Sequence, residues 1–184
     1  IPAKVDGSAV YGIDFTMPGM RVATIAAAPV RGGKLVAVDE APALAVKGVE
    51  KVVKLDDAVV VIAKGYWQAS KGLAALNPEF SDGGNADVST ASIYAAQDAL
   101  RKAGQPTNEA GEGDVDAAFK AAGDKLISAE YRVPFLHHAM MEPFAITGHF
   151  TEGKLHLWGG LQDPLGARDR AAKAAGLTMD EVVF

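Results

Sequence analysis

The sequence contains no cysteine. Without a thiol the chain can form no disulfide, and it offers neither a thiolate nucleophile nor the ligands of an iron–sulfur cluster or a cysteine-based zinc site. Long apolar runs are also missing, since those at residues 22–30 and 58–63 fall far below the roughly 20 residues of a membrane-spanning helix. The sequence therefore excludes thiol chemistry and predicts no membrane-spanning helix.

Positive charge is in slight deficit, with 18 Lys and Arg against 23 Asp and Glu. The charges are interspersed, so the chain has no basic stripe for a phosphate backbone, which argues against nucleic-acid binding. With 49% hydrophobic and 22% charged residues, the composition is that of a globular protein. A length of 184 residues allows one large domain or two small ones.

The hydrophobic pattern predicts a mixed α and β protein with two halves. In the first half, four short runs rich in β-branched residues predict strands, interrupted by a short helical turn and followed by a helix. These elements fall at residues 21–30, 34–39, 41–46, 49–55, 58–63 and 66–76. Residues 77–89 are rich in Gly, Asp, Asn and Ser and predict a loop or linker.

The second half predicts helices, a hairpin and a final strand. Start and stop signals predict helices over residues 89–103, 114–122 and 164–175, the last with Pro164 at its start and Gly176 at its end. A strand is expected over residues 125–133, and a hairpin from residues 144–150 and 154–158 with its turn at Glu152 and Gly153. Residues 178–184 predict a helical turn that leads into a strand.

The densest group of reactive side chains lies in the run VPFLHHAMMEPF, which contains His137, His138 and Glu142. Adjacent residues on a strand point to opposite faces, so both histidines could bind one ion there only at a bulge. Pro134 and Pro143 argue against a long helix that would bring His138 and Glu142 onto one face. We therefore favour ordinary hydrogen-bonded histidines over a metal site bound by the protein.

Gln162 stands between a predicted strand and a predicted helix, in the run LWGGLQDPLGAR. A side-chain amide in that place can both donate to and accept from a ligand. The alternative, which the residues alone favour, is that Gln162 and Asp163 only cap the helix. The sequence has no Gly-x-Ser-x-Gly elbow, no Rossmann fingerprint and no Walker loop, which argues against a hydrolase and against those nucleotide sites.

Two runs together resemble a known family. HHAMMEP, followed by the tryptophan strand and LQDPLGARDRAAKAAGLTMDEVVF, resembles the start of the molybdopterin-binding region in the xanthine dehydrogenase and aldehyde oxidase family, and most of all the large (beta) subunit of bacterial isoquinoline 1-oxidoreductase-like enzymes. Two upstream runs resemble the α/β hammerhead domain that precedes it: residues 5–55, which begin VDGSAVYGIDFTMPGM and end GVEKVVKL, and then AVVVIAKGYWQASKGLAAL. The resemblance covers nearly the whole chain.

The resemblance implies an α+β fold in two parts. Residues 1–80 would form the aldehyde oxidase/xanthine dehydrogenase α/β hammerhead domain, and residues 85–184 the truncated N-terminal part of the molybdopterin-binding domain. The family's glycine-rich GGGFG run and its general-base glutamate would lie beyond Phe184. We therefore expect no catalytic residue within this chain, and we expect the chain alone to be inactive and to bind no cofactor tightly.

The resemblance also implies the chemistry of a whole enzyme. Members of the family hydroxylate a carbon beside a ring nitrogen, or an aldehyde carbon, with water as the oxygen source, and pass electrons to a small [2Fe-2S] subunit. Bacterial members use a molybdopterin cytosine dinucleotide, whose dithiolene holds the Mo. By motif, His138 and Glu142 would help to form the wall near the cofactor, and Gln162 would lie close to it. The substrate, and a cytoplasmic or periplasmic location, stay open.

An alternative from a different class is a stand-alone binding or interaction module without redox activity, whose partner surface would be the apolar residues 182–184. A hydrolase that uses His138 and Glu142 is a more distant possibility. Continuation of the reading frame into a GGGFG segment would favour the molybdenum enzyme, and a stop codon after Phe184 would favour the module.

Overall fold

A computed structural model describes residues 1–104, 111–136 and 138–184. The chain forms two compact units. We call Arg21–His137 the central unit, and Ile1–Met20 together with His138–Phe184 the terminal unit. The predicted domain boundary at residues 80–85 coincides with neither junction between these units and stays a prediction.

The central unit is organised around one buried strand. Strand β4 (Ala58–Ala63) lies between β1 (Val22–Ala27) and β3 (Val49–Lys54), and both neighbours pair with it antiparallel. Its sequence AVVVIA is apolar on both faces, and β-branched valines suit a pleated strand. Val59 and Val61 are fully buried. β4 is thus the most buried strand of this sheet, and its backbone is paired along both edges.

Two helices pack on this sheet. α2 (Ala41–Leu44) and α3 (Tyr66–Ala75) contact each other, and α3 also packs on β1 and β4. A separate pair of short strands is formed by β2 (Leu35–Ala37) and β5 (Glu79–Phe80). The core residues are Ala43, Val52, Val59, Val61 and Leu76. The first half of the chain thus forms the predicted strands and helices, with β5 as an addition inside the predicted loop.

The rest of the central unit buries little. α4 (Thr90–Ala103) and α5 (Val115–Ala122) have no buried residue. The predicted strand over residues 125–133 is wrong, because a 3₁₀ turn at Gly123–Lys125 is followed by irregular chain. A strand needs a neighbour to pair its backbone groups, and this segment instead contacts α4 through side chains.

Those contacts join the irregular segment to one side of α4. The Tyr94 hydroxyl donates a hydrogen bond to the Val133 carbonyl, and Arg132 donates to Asp98 at 2.9 Å and to Glu130 at 2.5 Å. The hydrogen bond to Glu130, and then that to Asp98, raises the pKa of Arg132. The guanidinium is therefore engaged by two carboxylates.

The terminal unit is a three-stranded sheet with one long helix. It contains α1 (Pro2–Val5), a 3₁₀ turn at Gly12–Asp14, β6 (Ile146–Thr151), β7 (Lys154–Gly159), α6 (Pro164–Ala175), a 3₁₀ turn at Met179–Glu181 and β8 (Val182–Val183). β7 lies in the middle, antiparallel to β6 and parallel to β8. The predicted hairpin, the helix and the final strand are all present, and the helix has the predicted bounds.

Helix α6 holds the last strand in place. Arg168 donates hydrogen bonds to the carbonyl oxygens of Val182 at 2.7 Å and Met179 at 2.6 Å. Val182 is fully buried. The 3₁₀ turn before it is fixed by Glu181, whose pKa is lowered by hydrogen bonds from the backbone N–H and then the hydroxyl of Thr178. Within the described ranges, no helix combines the length and the apolar character needed to cross a bilayer.

Gly72 tests whether the packing of α3 on the sheet sets the stability of the central unit. A Cβ at Gly72 would lie 2.8 Å from methyl groups of both Val49 and Val61. Alanine has a helix propensity about 1 kcal/mol better than glycine, whereas overpacking of a core costs about 1–3 kcal/mol. We therefore expect Gly72→Ala to lower the unfolding free energy by about 1 kcal/mol, measured by hydrogen exchange of the β4 amides in urea.

The matched control is Ala74→Gly, at an exposed position of the same helix. That variant should lose only helix propensity, again about 1 kcal/mol. If Gly72→Ala instead raised the stability by the propensity difference, α3 would not pack on the sheet as closely as described.

Candidate functional site

Glu142 lies just before β6, and its carboxylate reaches backbone from two distant segments. Its Oε1 accepts a hydrogen bond from the Gly12 N–H at 3.4 Å, a long contact. A Cβ built on Gly160, directly after β7, would lie 3.4 Å from the same oxygen. The carboxylate therefore lies against glycine backbone from both segments, within the terminal unit.

Gln162 stands two residues after Gly160, whose backbone lies against the Glu142 carboxylate. The helix cap is Asp163, whose carboxylate accepts a hydrogen bond from the Gly166 N–H at 2.8 Å. The Gln162 side chain is exposed. Asp163 therefore caps the helix, as one alternative predicted for both residues. The Gln162 amide is accessible to a ligand.

Of the two histidines in the HHAMMEP run, only His138 belongs to the residues that the structure describes. His138 is exposed, in irregular chain four residues before Glu142. His137 lies outside the described residues. The described part of this run contains no helix that would place His138 and Glu142 on one face, as expected from the flanking prolines. The structure therefore brings Glu142, rather than His138, close to the segment that carries Gln162.

An aromatic stack holds the amino-terminal segment on the hairpin. The ring of Phe15 stacks on Trp158 with centroids 4.7 Å apart and planes 16° apart. The preceding 3₁₀ turn brings Gly12 so close to the start of β6 that a Cβ there would lie 2.9 Å from the Ala145 carbonyl oxygen. This close approach positions the Gly12 N–H to reach Glu142. Sequence reasoning missed Gly12 and Phe15, because they lie more than 120 residues from the groups they contact.

The second half of the chain matches a family model. Residues 101–184 match the model described as molybdopterin cofactor-binding domain. This range includes His138, Glu142 and Gln162, and it includes the whole β6–β7 hairpin and α6. The predicted family resemblance is confirmed.

Curated relatives extend the resemblance across the chain. The beta subunit of isoquinoline 1-oxidoreductase from Brevundimonas diminuta is 27% identical over 100% of this chain and 25% of its own length. One of the subunits of nicotinate dehydrogenase from Pseudomonas putida is 29% identical over 89% of this chain and 14% of its own. A membrane-bound aldehyde dehydrogenase (pyrroloquinoline-quinone) from Gluconacetobacter polyoxogenes is 31% identical over 88% of this chain and 22% of its own length. The chain thus spans at most a quarter of the length of these relatives.

Solved structures with the same fold include two oxidoreductases. Quinoline 2-oxidoreductase from Pseudomonas putida 86 superposes with a TM-score of 0.68 at 16% identity, over 98% of this chain and 28% of its own. The CO dehydrogenase of Oligotropha carboxidovorans gives a TM-score of 0.61 at 15% identity, over 98% and 29%. Identities this low bear on the fold alone. The predicted α+β class is confirmed.

The polar groups around Gly160 suit a molybdopterin better than a bare metal ion. A carboxylate, an exposed amide and exposed glycine backbone can donate to and accept from the heteroatoms of a pterin. Among residues 1–104, 111–136 and 138–184, no three His, Asp or Glu side chains lie close enough together to hold a metal ion. The carboxylate, the amide and the backbone groups around Gly160 fit a group that brings its own metal ligands.

Two adjacent glycines test the backbone geometry of this site. A Cβ at Gly159 would lie 2.8 Å from the Ala145 carbonyl oxygen, whereas at Gly160 the nearest atom is the flexible end of Glu142 at 3.4 Å. We expect Gly159→Ala to destabilise the terminal unit by about 1–3 kcal/mol, through the backbone shift that overpacking forces. Gly160→Ala should stay within about 0.5 kcal/mol, as for other surface changes.

The unfolding free energy of each variant is measured in urea, with hydrogen exchange of the β6 and β7 amides as the readout. Since the two variants add the same methyl group one residue apart, each is the control for the other. Equal stability of both would contradict the close approach of β7 to Ala145.

Proposed function

We propose that this chain is part of the large subunit of a molybdenum hydroxylase. The observation that carries the proposal is the match of residues 101–184 to the molybdopterin cofactor-binding domain, a range that contains both Glu142 and Gln162. The likeness to oxidoreductases over 88% or more of the chain supports it.

The whole enzyme would hydroxylate an N-heterocycle or an aldehyde, with water as the oxygen source. Two relatives are named for isoquinoline and nicotinate, both aromatic rings that contain nitrogen, and one for an aldehyde. Electrons would pass to a small [2Fe-2S] subunit, as in the family that the sequence resembles. When bound, the molybdopterin, in its cytosine dinucleotide form, supplies the redox chemistry.

The residues of this chain would hold and orient that group. The Gln162 amide can donate to one heteroatom of the pterin and accept from another. Glu142 would fix the backbone around Gly160 through its contact with Gly12, and His138 would complete the wall beside it. In this proposal residues 1–80 are the hammerhead domain, residues 85–184 begin the cofactor domain, and the chain alone has no activity.

The name of one relative includes a different cofactor, pyrroloquinoline quinone. We favour molybdopterin because the family match is to a molybdopterin domain and falls on the residues of the site. Quinone content, measured in the same sample, separates the two cofactors.

The first test is the cofactor content of the whole protein, purified with its small subunit. Elemental analysis should give about one molybdenum for each large subunit, and acid hydrolysis should release CMP, because the dinucleotide form carries cytidine. Bound pyrroloquinoline quinone without molybdenum would contradict the proposal. A well-folded protein without either group would favour the non-redox binding module.

A second measurement in the same preparation assigns the role of Gln162. Gln162→Ala should lower molybdenum and CMP content together, about tenfold at a fixed cofactor supply if the amide makes hydrogen bonds worth about 1–1.5 kcal/mol. Gln97→Ala, at an exposed glutamine on α4 in the central unit, is the matched control and should keep full content. Equal content in both variants would remove Gln162 from the cofactor site.

A further inference from the structure

The β6–β7 hairpin places two histidines directly opposite each other. The turn at Glu152 and Gly153 has two residues, both with positive φ, of 52° and 75°. This turn closes the pair Thr151 and Lys154, and it fixes the register in which His149 faces His156. Opposite residues in an antiparallel pair have Cβ atoms about 4.5–5.5 Å apart, on one face of the sheet. Two imidazoles so placed can reach one ion.

That face of the hairpin is mostly polar, whereas the other is apolar. The histidine face carries the cross-strand pairs Thr147–Trp158, His149–His156 and Thr151–Lys154. The opposite face carries Ile146, Phe150, Leu155 and Leu157. His149 is exposed and His156 is partly exposed, so water and ions can reach both rings. In the described part of the chain, neither imidazole makes a hydrogen bond or an ion pair that would occupy its nitrogens.

His156 is also held in orientation. Its ring stacks on Trp158 with centroids 6.0 Å apart and planes 21° apart, and Trp158 is itself stacked on Phe15. A ring already fixed by stacking loses less freedom when it binds an ion. Lys154 lies on the same face beside the pair, and its long exposed side chain can turn its ammonium into water.

We propose that His149 and His156 form a binding site for a borderline divalent transition metal ion, such as Zn²⁺, Cu²⁺ or Ni²⁺. Imidazole is a preferred ligand of these ions, and water fills the remaining positions. The chain has no cysteine to compete for the ion. His156 lies on β7 three residues before Gly159, and the pair shares no residue with the proposed cofactor site. A bound ion would tie β6 to β7.

Trp158 makes the test direct, because Cu²⁺ near an indole quenches its fluorescence. The chain has two tryptophans, and Trp67 is 66% exposed in the central unit, so Trp67→Phe leaves Trp158 as the reporter. In this background, Cu²⁺ should quench the 184-residue chain in a saturable manner with one ion per chain. Zn²⁺, which does not quench, should compete and restore the signal.

The variants locate the ligands. His149→Asn and His156→Asn should each weaken Cu²⁺ binding at least tenfold, whereas His138→Asn, from the other histidine run, should leave it unchanged. Lys154→Gln removes a neighbouring positive charge and should tighten binding about two- to threefold, by analogy with exposed charge pairs.

Far-UV circular dichroism checks that each variant is folded. If His156→Asn unfolds the hairpin, the effect of His149→Asn on Cu²⁺ binding is the test of the proposal. Quenching that does not saturate, that survives both hairpin variants, or that disappears with His138→Asn would overturn the proposal.

Discussion

The carbonyl oxygen of Ala145 is the point on which the arrangement of the terminal unit depends. Cβ atoms at Gly12 and Gly159 would lie 2.9 and 2.8 Å from it, so only glycine allows the amino-terminal segment and the end of β7 to meet there. The same approach brings the Gly12 N–H to Glu142, whose carboxylate lies beside Gly160. The candidate cofactor site is a consequence of this close backbone packing.

The chain buries its apolar residues unevenly. The sheet of the central unit has a compact core around Val59 and Val61, both fully buried. From α5 to α6, in contrast, many large apolar side chains are exposed, including Phe119, Ile127, Tyr131, Leu136, Met141 and Phe144. Large apolar side chains exposed in such number are typical of segments that pack against other protein. Under the proposed function, the remainder of the large subunit would cover these side chains.

The sequence was sufficient to predict those elements whose ends are determined by residues next to them in the chain. Pro164 and Gly176 set the bounds of α6, and the Glu152–Gly153 turn predicted the hairpin, because these residues act on their own backbone. Residues 125–133 have the composition of a strand, but a strand also needs a partner, which local pattern does not reveal. The register of His149 with His156 follows from the two-residue turn. The pairing of the two histidines could therefore be predicted from the sequence.

The site was predictable only in part. The runs around Glu142 and Gln162 could be recognised by resemblance, and the predicted hairpin lies between them. The contact between Glu142 and Gly12 spans 130 residues. Such a contact depends on where the amino-terminal segment packs, and that is decided by the stacking of Phe15 on Trp158 rather than by any pattern near Gly12.

An experimental structure with the cofactor bound is the measurement that locates the cofactor site directly. We expect pterin heteroatoms within hydrogen-bonding distance, about 2.7–3.2 Å, of the Gln162 side chain or of the backbone around Gly160. A cofactor bound elsewhere, with residues 138–163 making no contact with it, would contradict the assignment of this segment to the cofactor site.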